Sequence, residues 1–127
     1  MDNIRKVNLM SPLTWAYIGD AVYDVYVRNY LIETTNLKPN KLHKEAIKYV
    51  KAEAQARILE NLYEFLTEEE HDIIRRGRNT ENHHLPKNAS LRDYTYATAF
   101  EALIGYLYLS KQEERLQVIL EKSINTI

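Results

Sequence analysis

Two long, mostly apolar segments, each with a glycine and a carboxylate embedded in it, restrict this sequence more than any other feature. The first runs over residues 13–32 and contains YIGDAVY (17–23), and the second is AFEALIGYLYL (99–109). The whole chain has only three glycines and three prolines, so helix is its default state. Both segments are therefore predicted to be buried helices, and the fold class is predicted to be all-α.

Capping signals mark the ends of the other predicted helices. We expect N-terminal caps at Ser11 before Pro12, at Thr67 with Glu70, and at Ser90 with Asp93. Gly77 is predicted to end the third helix. The predicted helices are 12–31, 40–63, 67–77, 90–109 and 110–124. Together they predict a helical bundle in a single domain, 1–127, with its core at about 11–109 and a C-terminal helix at about 110–124.

Composition excludes several classes of protein. Of the 127 residues, 45% are hydrophobic and 28% are charged, which is the balance of a globular domain rather than a disordered chain. No apolar run approaches the roughly 18 residues that a membrane span needs, and the N-terminus lacks the apolar core of a signal peptide. Without cysteine the protein has no disulfides, thiol catalysis or cysteine metal sites. We expect a cytoplasmic protein with no membrane partner.

The two carboxylates lie where a helix is expected to face the core. Asp20 and Glu101 are both surrounded by apolar residues, so both are predicted to be buried, and burying an unpaired charge is costly. One interpretation is that they converge on a divalent cation, because Mg²⁺ prefers oxygen ligands. The other is that each pairs with a buried arginine or caps a neighbouring helix. Gly19 and Gly105 indicate close approach of the two helices, and Asp24 is predicted to form a salt bridge or to support the ligands.

Basic residues are concentrated despite a net charge of −1. Five residues recur at spacings of three and four along the predicted second helix and would share one face: Lys41, Lys44, Lys48, Lys51 and Gln55. This face either binds phosphate or is only solvated. A second basic run, RRGRN (75–79), suits bidentate phosphate contacts, or its arginines pair with the acids at 68–70.

A rival metal site must also be considered. His43, His71-Asp72 and Asp93 follow the order H…HD…D of a class of metal-dependent phosphohydrolases. These are common residue types with free spacing. Asp93 is better explained as part of a helix cap.

The two carboxylate segments carry a family resemblance. YIGDAVY resembles the signature helix of the ribonuclease III catalytic domain, and FEALIGYLYL (100–109) resembles its second acidic helix. The segments LHKEAIKYVKAEAQA (42–56), RRGRN and LPKNA (85–89) resemble the compact subgroup called Mini-III ribonuclease. The similarity extends from about residue 11 to 109, in the same order and with matching spacing.

The resemblance implies an all-α, homodimeric endoribonuclease that cleaves double-stranded RNA with Mg²⁺, with Mn²⁺ as a possible substitute. It implies maturation of precursor large-subunit (23S) ribosomal RNA, with a ribosomal protein as a possible partner. Asp20 matches the family's catalytic aspartate and Glu101 its metal-binding glutamate. This chain would bind RNA without the separate RNA-binding domain of the larger enzymes. The residues expected to contact RNA are Lys44, Lys48, Lys51, Arg75, Arg76, Arg78, Asn79 and Lys87.

The sequence also departs from the wider family. Two further carboxylates of that family are replaced here by Ala16 and Thr98, as they are in the Mini-III subgroup. Water and RNA phosphates would have to complete the coordination of a cation. The alternative function is a catalytically silent, ribonuclease III-like RNA-binding module in ribosome assembly.

Overall fold

The computed structural model describes residues 3–80 and 90–127, and over these ranges the chain is helical, without strands. The helices are α1 (Asn3–Asn8), α2 (Pro12–Thr34), α3 (Pro39–Val50), α4 (Ala52–Leu62), α5 (Glu68–Arg78), α6 (Leu91–Leu109) and α7 (Glu113–Asn125), with a 3₁₀ turn at Tyr63–Phe65. The predicted all-α class is confirmed. No helix in this part of the chain is both long enough and apolar enough to cross a bilayer.

Helix α6 is the central element of the bundle. Ten of its 19 residues are buried, and it packs against α2, α4, α5 and α7. A helix that is apolar around most of its surface is stable only when other helices cover it on several sides. Two edge-to-face ring pairs join it to α2, with centroids 5.2 Å apart for Trp15 and Tyr106 and 5.1 Å apart for Tyr23 and Phe100. Helices α2 and α6 thus form the framework on which the others pack.

The predicted helix starts are confirmed. Ser11 Oγ accepts a hydrogen bond from the Leu13 N–H at 3.2 Å, and proline opens α2 as expected. Thr67 and Glu70 form a reciprocal capping box at the start of α5. Ser90 Oγ accepts from the backbone N–H of Asp93 at 3.0 Å at the start of α6. Local side-chain chemistry therefore fixes the points at which these helices begin.

The single second helix predicted over 40–63 is wrong. The chain breaks at Lys51, whose φ of −65° and ψ of 153° are extended, and this break separates α3 from α4. The carbonyl of Val50, at the end of α3, accepts a hydrogen bond from Gln55 Nε2 at 2.8 Å, which stabilises the break. Because α4 starts in a new direction, Ala54, Gln55 and Ile58 are buried rather than continuing the exposed face of α3.

The third helix ends within one residue of its predicted end, but the prediction that Gly77 terminates it is wrong. Gly77 lies inside α5, which continues to Arg78. A Cβ at this position would lie 2.9 Å from the Ala99 Cα and 3.2 Å from the Ala102 Cβ. Gly77 therefore allows α5 to approach α6 closely, a role that a local pattern of turn residues does not reveal.

A short N-terminal helix, α1, has no counterpart among the predicted helices. The Trp15 indole N–H donates to the Val7 carbonyl at 2.9 Å, and the Tyr106 hydroxyl donates to Asn8 Oδ1 at 2.7 Å. Asn3 Nδ2 donates to the Leu109 carbonyl at 2.9 Å. Long-range contacts, rather than a strong local signal, hold this helix against α2 and α6.

A buried ion pair connects α5 to α7. Glu70 is 2% exposed, and both its oxygens accept hydrogen bonds of 2.7 Å from the Arg115 guanidinium. Burial opposes ionisation of Glu70, but hydrogen bonds from Arg115 and Thr67 outweigh it and lower the pKa of the carboxyl. Arg115 is therefore the counterion that allows a charged group at this position.

Candidate active site at the crossing of α2 and α6

The two predicted glycine contacts are confirmed, and they determine the position of the site. A Cβ on Gly19 would lie 1.8 Å from the Glu101 carbonyl oxygen, and a Cβ on Gly105 would lie 1.8 Å from the Trp15 carbonyl oxygen. The backbones of α2 and α6 therefore touch directly at this crossing. Asp20 follows Gly19 on α2, so this contact brings it beside Glu101 on α6.

The predicted burial of both carboxylates is only partly correct. Glu101 is half-buried, whereas Asp20 is exposed, because it lies on the open side of α2. The two residues line one cleft together with Ala16, Tyr17 and Thr98. Asp20 therefore does not bear the cost of burial that its apolar sequence neighbours suggest.

The electrostatics of the pair are unusual. Burial, followed by the neighbouring Asp20 carboxylate, raises the pKa of Glu101 to about 8. A hydrogen bond from Gln55 acts in the opposite direction. Without a cation, the Glu101 carboxyl therefore tends to keep its proton at neutral pH, and a cation between the two carboxylates would favour its charged form.

No basic side chain of the described residues neutralises the two carboxylates. Among residues 3–80 and 90–127, no Lys, Arg or His forms an ion pair with Asp20 or Glu101, so neither is the partner of a buried arginine. Asp24 forms the predicted salt bridge, but with Arg28 on its own helix at 3.0 Å. The oxygen donors of the pair, the absence of a protein counterion over these ranges and the raised pKa of Glu101 all fit a hard divalent cation.

The predicted position of Gln55 on the basic face of the second helix is wrong. Gln55 is 2% exposed, and its Nε2 lies 3.3 Å from Glu101 Oε2. The break at Lys51 turns it inward. A glutamine between alanines in an otherwise ordinary helix gives no signal in the sequence from which this contact could be found.

The lysines of α3 keep their predicted exposure. Lys41, Lys44 and Lys48 are exposed along the helix, and Lys51 is exposed at the break that follows. Lys48 pairs with Glu45 on its own helix at 3.0 Å. This basic face therefore ends at the junction with α4, four residues before Gln55.

The arginines of RRGRN occupy different environments. Arg75 is exposed and pairs with Asp72, and Arg78 is exposed, with its guanidinium 5.6 Å from the centre of the Tyr96 ring. Arg76 instead donates to the Asn8 carbonyl at 3.0 Å and lies over the Trp15 ring at 4.6 Å. Over the described ranges none of the three pairs with the acids at 68–70, so the interpretation that they do is wrong.

Two further sequence predictions concern residues outside the cleft, namely the remaining RNA-contact residues and the rival metal site. Asn79 is exposed at the end of α5, while Lys87 and the segment LPKNA lie outside the described residues. The H…HD…D metal site is wrong, because no three His, Cys, Asp or Glu side chains of the described ranges come together to hold a metal. His71 lies against the Tyr63 ring instead, at 4.3 Å between centroids.

The sequence of this chain is similar to known proteins over most of its length. Residues 13–112 match the Ribonuclease III domain. A Mini-ribonuclease 3 from Thermoanaerobacter sp. (strain X514) is 52% identical over 93% of this chain and 83% of its own. One from Staphylococcus aureus is 48% identical over 100% of this chain and 98% of its own.

A solved structure agrees with the fold as well. The crystal structure of a Fusobacterium nucleatum protein superposes with a TM-score of 0.83, at 31% identity, over 92% of this chain and 93% of that one. Because the match covers nearly the whole of both chains, the arrangement of helices is shared throughout and not only around the two carboxylates. The chain belongs to the Mini-ribonuclease 3 family and is a ribonuclease with a ribonuclease III domain.

Proposed function

We propose that this ribonuclease is a Mg²⁺-dependent endonuclease of double-stranded RNA, with Asp20 and Glu101 as its catalytic and metal-binding residues. One observation carries this proposal: two carboxylates from different helices are held side by side, and no basic side chain of the described residues neutralises them. Mn²⁺ offers the same preference for oxygen ligands and is a possible substitute.

The two carboxylates have different parts in this mechanism. A bound Mg²⁺ supplies Lewis acidity toward the phosphodiester and lowers the pKa of water. Glu101, held between Gln55 and Asp20, provides a fixed oxygen on the inner wall of the cleft. Asp20 is exposed and provides the oxygen that an RNA backbone can approach. Because Ala16 and Thr98 supply no further carboxylate in this cleft, RNA phosphate and water would have to complete the coordination of the cation.

The basic residues are proposed to bind the RNA backbone. The exposed lysines of α3, together with Lys51, Arg75, Arg78 and Asn79, present cationic or donor groups to solvent. Duplex RNA is recognised mainly by its shape and its phosphates, which suits such side chains. Lys87 belongs to the same proposal by resemblance. Arg76 is engaged within the protein, so its contribution to RNA binding is proposed to be indirect.

The surface of α2 supports a homodimer. Tyr17, Val25 and Ile32 are 83%, 57% and 62% exposed, and with Ala21 they form a stripe along one side of the helix beside Asp20. Exposed apolar stripes of this kind are typical of interfaces. A two-fold pairing would present two equivalent sites to a duplex, since an isologous interface repeats each site by symmetry.

The proposed substrate is precursor large-subunit (23S) ribosomal RNA, with a ribosomal protein as a possible partner and the cytoplasm as the compartment. What supports these finer assignments is the resemblance of this sequence to the Mini-III subgroup. These assignments are independent of the chemistry proposed for Asp20 and Glu101. If one of the two proposals is refuted, the other is unaffected.

The test of the chemistry uses a labelled RNA duplex incubated with Mg²⁺ or with EDTA. We expect defined fragments from the wild type with Mg²⁺ only, and none from Asp20→Asn, which should still bind the duplex. Asp24→Asn is the matched control, because it makes the same change one helical turn away, in a salt bridge with Arg28.

Cleavage by Asp20→Asn at the wild-type rate would refute the assignment of Asp20. A duplex that is bound but never cut under any condition would instead support the silent RNA-binding module. The partly buried carboxylate of Glu101 would then need a structural explanation.

A further inference from the structure

The amide of Gln55 is placed between the active-site carboxylate and the end of a helix. Its Nε2 donates to the carbonyl of Val50, the last residue of α3, at 2.8 Å, and to Glu101 Oε2 at 3.3 Å. The side chain lies in the first turns of α4 and is almost completely buried. One amide therefore connects the lysine-bearing helix to the proposed metal ligand.

The contacts fix which way round this amide lies. A backbone carbonyl can only accept a hydrogen bond, so the atom that faces Val50 must be the nitrogen. The same nitrogen then faces Glu101, and it is a donor suited to a charged carboxylate. The orientation of the Gln55 amide follows from chemistry and does not depend on distinguishing nitrogen from oxygen directly.

The oxygen atom of the Gln55 amide also needs a hydrogen-bond partner. Gln55 Oε1 is buried, and it has no hydrogen-bond partner among the residues that the structure describes. Buried polar atoms of native proteins are almost always paired, and an unpaired acceptor is costly. A purely structural link between α3 and α4 needs only Nε2 and does not explain a buried oxygen beside the active site.

We propose that Gln55 is a positioning residue for the cation, an inference that rests on the proposed function. Its Nε2 holds the Glu101 carboxylate in place, and its Oε1 accepts a hydrogen bond from a water that hydrates the cation. The two cleft positions at which the wider family has further carboxylates do not supply one here: Ala16 has no polar side-chain group, and the Thr98 hydroxyl donates to the Tyr94 carbonyl at 2.9 Å. Groups that support metal ligands in this way commonly contribute about 10- to 100-fold to metal affinity.

The experiment measures binding of Mg²⁺ without RNA, from the rise in melting temperature with Mg²⁺ concentration, and in parallel the Mg²⁺ dependence of duplex cleavage. Gln55→Leu keeps the size of the side chain and removes both polar atoms. Gln55→Met also removes both polar atoms but keeps an unbranched side chain of similar length, so it provides a second variant if Gln55→Leu does not fold. Gln117→Leu is the matched control, on the exposed side of α7, where the Gln117 amide donates to Glu121.

We expect Gln55→Leu to need at least about 10-fold more Mg²⁺ than the wild type, in both melting and cleavage. Gln55→Met should need as much additional Mg²⁺ as Gln55→Leu, because it lacks the same two polar atoms. Gln117→Leu should match the wild type in both measurements.

Three outcomes would overturn the inference. If Gln55→Leu responds to Mg²⁺ as the wild type does, Gln55 has a structural role only. If Gln55→Leu does not fold, Gln55→Met decides, and a Mg²⁺ response equal to that of the wild type contradicts the proposal. If the wild type itself shows no Mg²⁺ effect on melting or cleavage, the proposed metal-dependent function fails, and the role of Gln55 fails with it.

Discussion

Substitution of Gly19 by alanine tests how the two carboxylates are brought together. The added methyl group would lie 1.8 Å from the Glu101 carbonyl oxygen and 2.8 Å from the Gly105 nitrogen. Carbon–oxygen contacts between helix backbones are no shorter than about 3.3 Å, so α2 and α6 would have to separate by about 1.5 Å. No side-chain rotation can relieve this contact, because both partners are backbone atoms.

The expected loss of stability follows from two opposing effects. Overpacking of a close contact costs about 1–3 kcal/mol, and a backbone contact belongs at the upper end of that range. Alanine is favoured over glycine in a helix by about 1 kcal/mol, which offsets part of this cost. We expect Gly19→Ala to lower the free energy of unfolding by about 2 kcal/mol, and the melting temperature by roughly 8 °C.

The effect on cleavage should be larger than the effect on stability. Asp20 moves with α2, away from Glu101, and a misplacement of about 1 Å at a reacting centre can reduce a rate about 100-fold. Urea unfolding gives the stability. Single-turnover cleavage of a duplex, at a temperature where the variant is folded, gives the rate.

Gly77→Ala is the control for this experiment. It makes the same change against the same helix, but its methyl group would meet the Ala99 Cα at 2.9 Å, away from the carboxylates. It should cost less stability and leave the stabilisation by Mg²⁺ unchanged. If Gly19→Ala matches the wild type in unfolding midpoint and in cleavage rate, direct backbone contact does not set the spacing of the carboxylates.

Three further predictions concern charge. In EDTA, the wild type should lose about 3 kcal/mol of stability relative to Glu101→Gln as the pH rises from 5 to 8. The raised pKa of Glu101, about 8, means that the folded state keeps a proton that the unfolded state releases at lower pH. If urea unfolding gives the same pH dependence of the unfolding free energy for the wild type and for Glu101→Gln, this explanation is wrong. Arg115→Met should lower the free energy of unfolding by about 3 kcal/mol, because Glu70 would be left charged and unpaired, and an unchanged urea midpoint would show that the pair is not needed. Arg78→Ala should reduce the log–log salt slope of RNA binding by about one unit, whereas Arg76→Ala should lower stability and leave that slope unchanged. If Arg78→Ala and Arg76→Ala have the same salt slope of RNA binding, the conclusion that only Arg78 contacts phosphate is wrong.

The parts of the fold that depend on local chemistry could be predicted from the sequence. The caps at Ser11 and Thr67 act within three residues of themselves, so their sequence signals are nearly complete. The close approach at Gly19 was predictable for another reason: a glycine inside a buried helix is unfavourable unless something requires its small size. These features place the two central helices and bring the two carboxylates to one region.

The remaining features depend on contacts between distant segments. The break at Lys51 leaves the apolar periodicity of α3 and α4 intact, so the pattern predicts a continuous helix and places Gln55 on the wrong face. Gly77 has the same local appearance as a helix-ending glycine, and only its contact with Ala99 on α6 reveals its role. Asp20 has apolar sequence neighbours, but whether its side of α2 is covered depends on which helices pack there.

The anchoring of α5 has a consequence for how this protein is handled in the laboratory. The N-terminal turn of α5 is held by Arg115 on α7, and its last turns are held through Arg76 by the end of α1 at Asn8. The helix that presents the arginines therefore depends on the first and last helices of the structure, neither of which contains a residue of the active site. Fusion tags or deletions that disturb α1 or α7 would be expected to weaken RNA binding while leaving the carboxylate pair intact. A loss of activity after such a change would be mistaken for damage to the catalytic centre unless RNA affinity is measured as well.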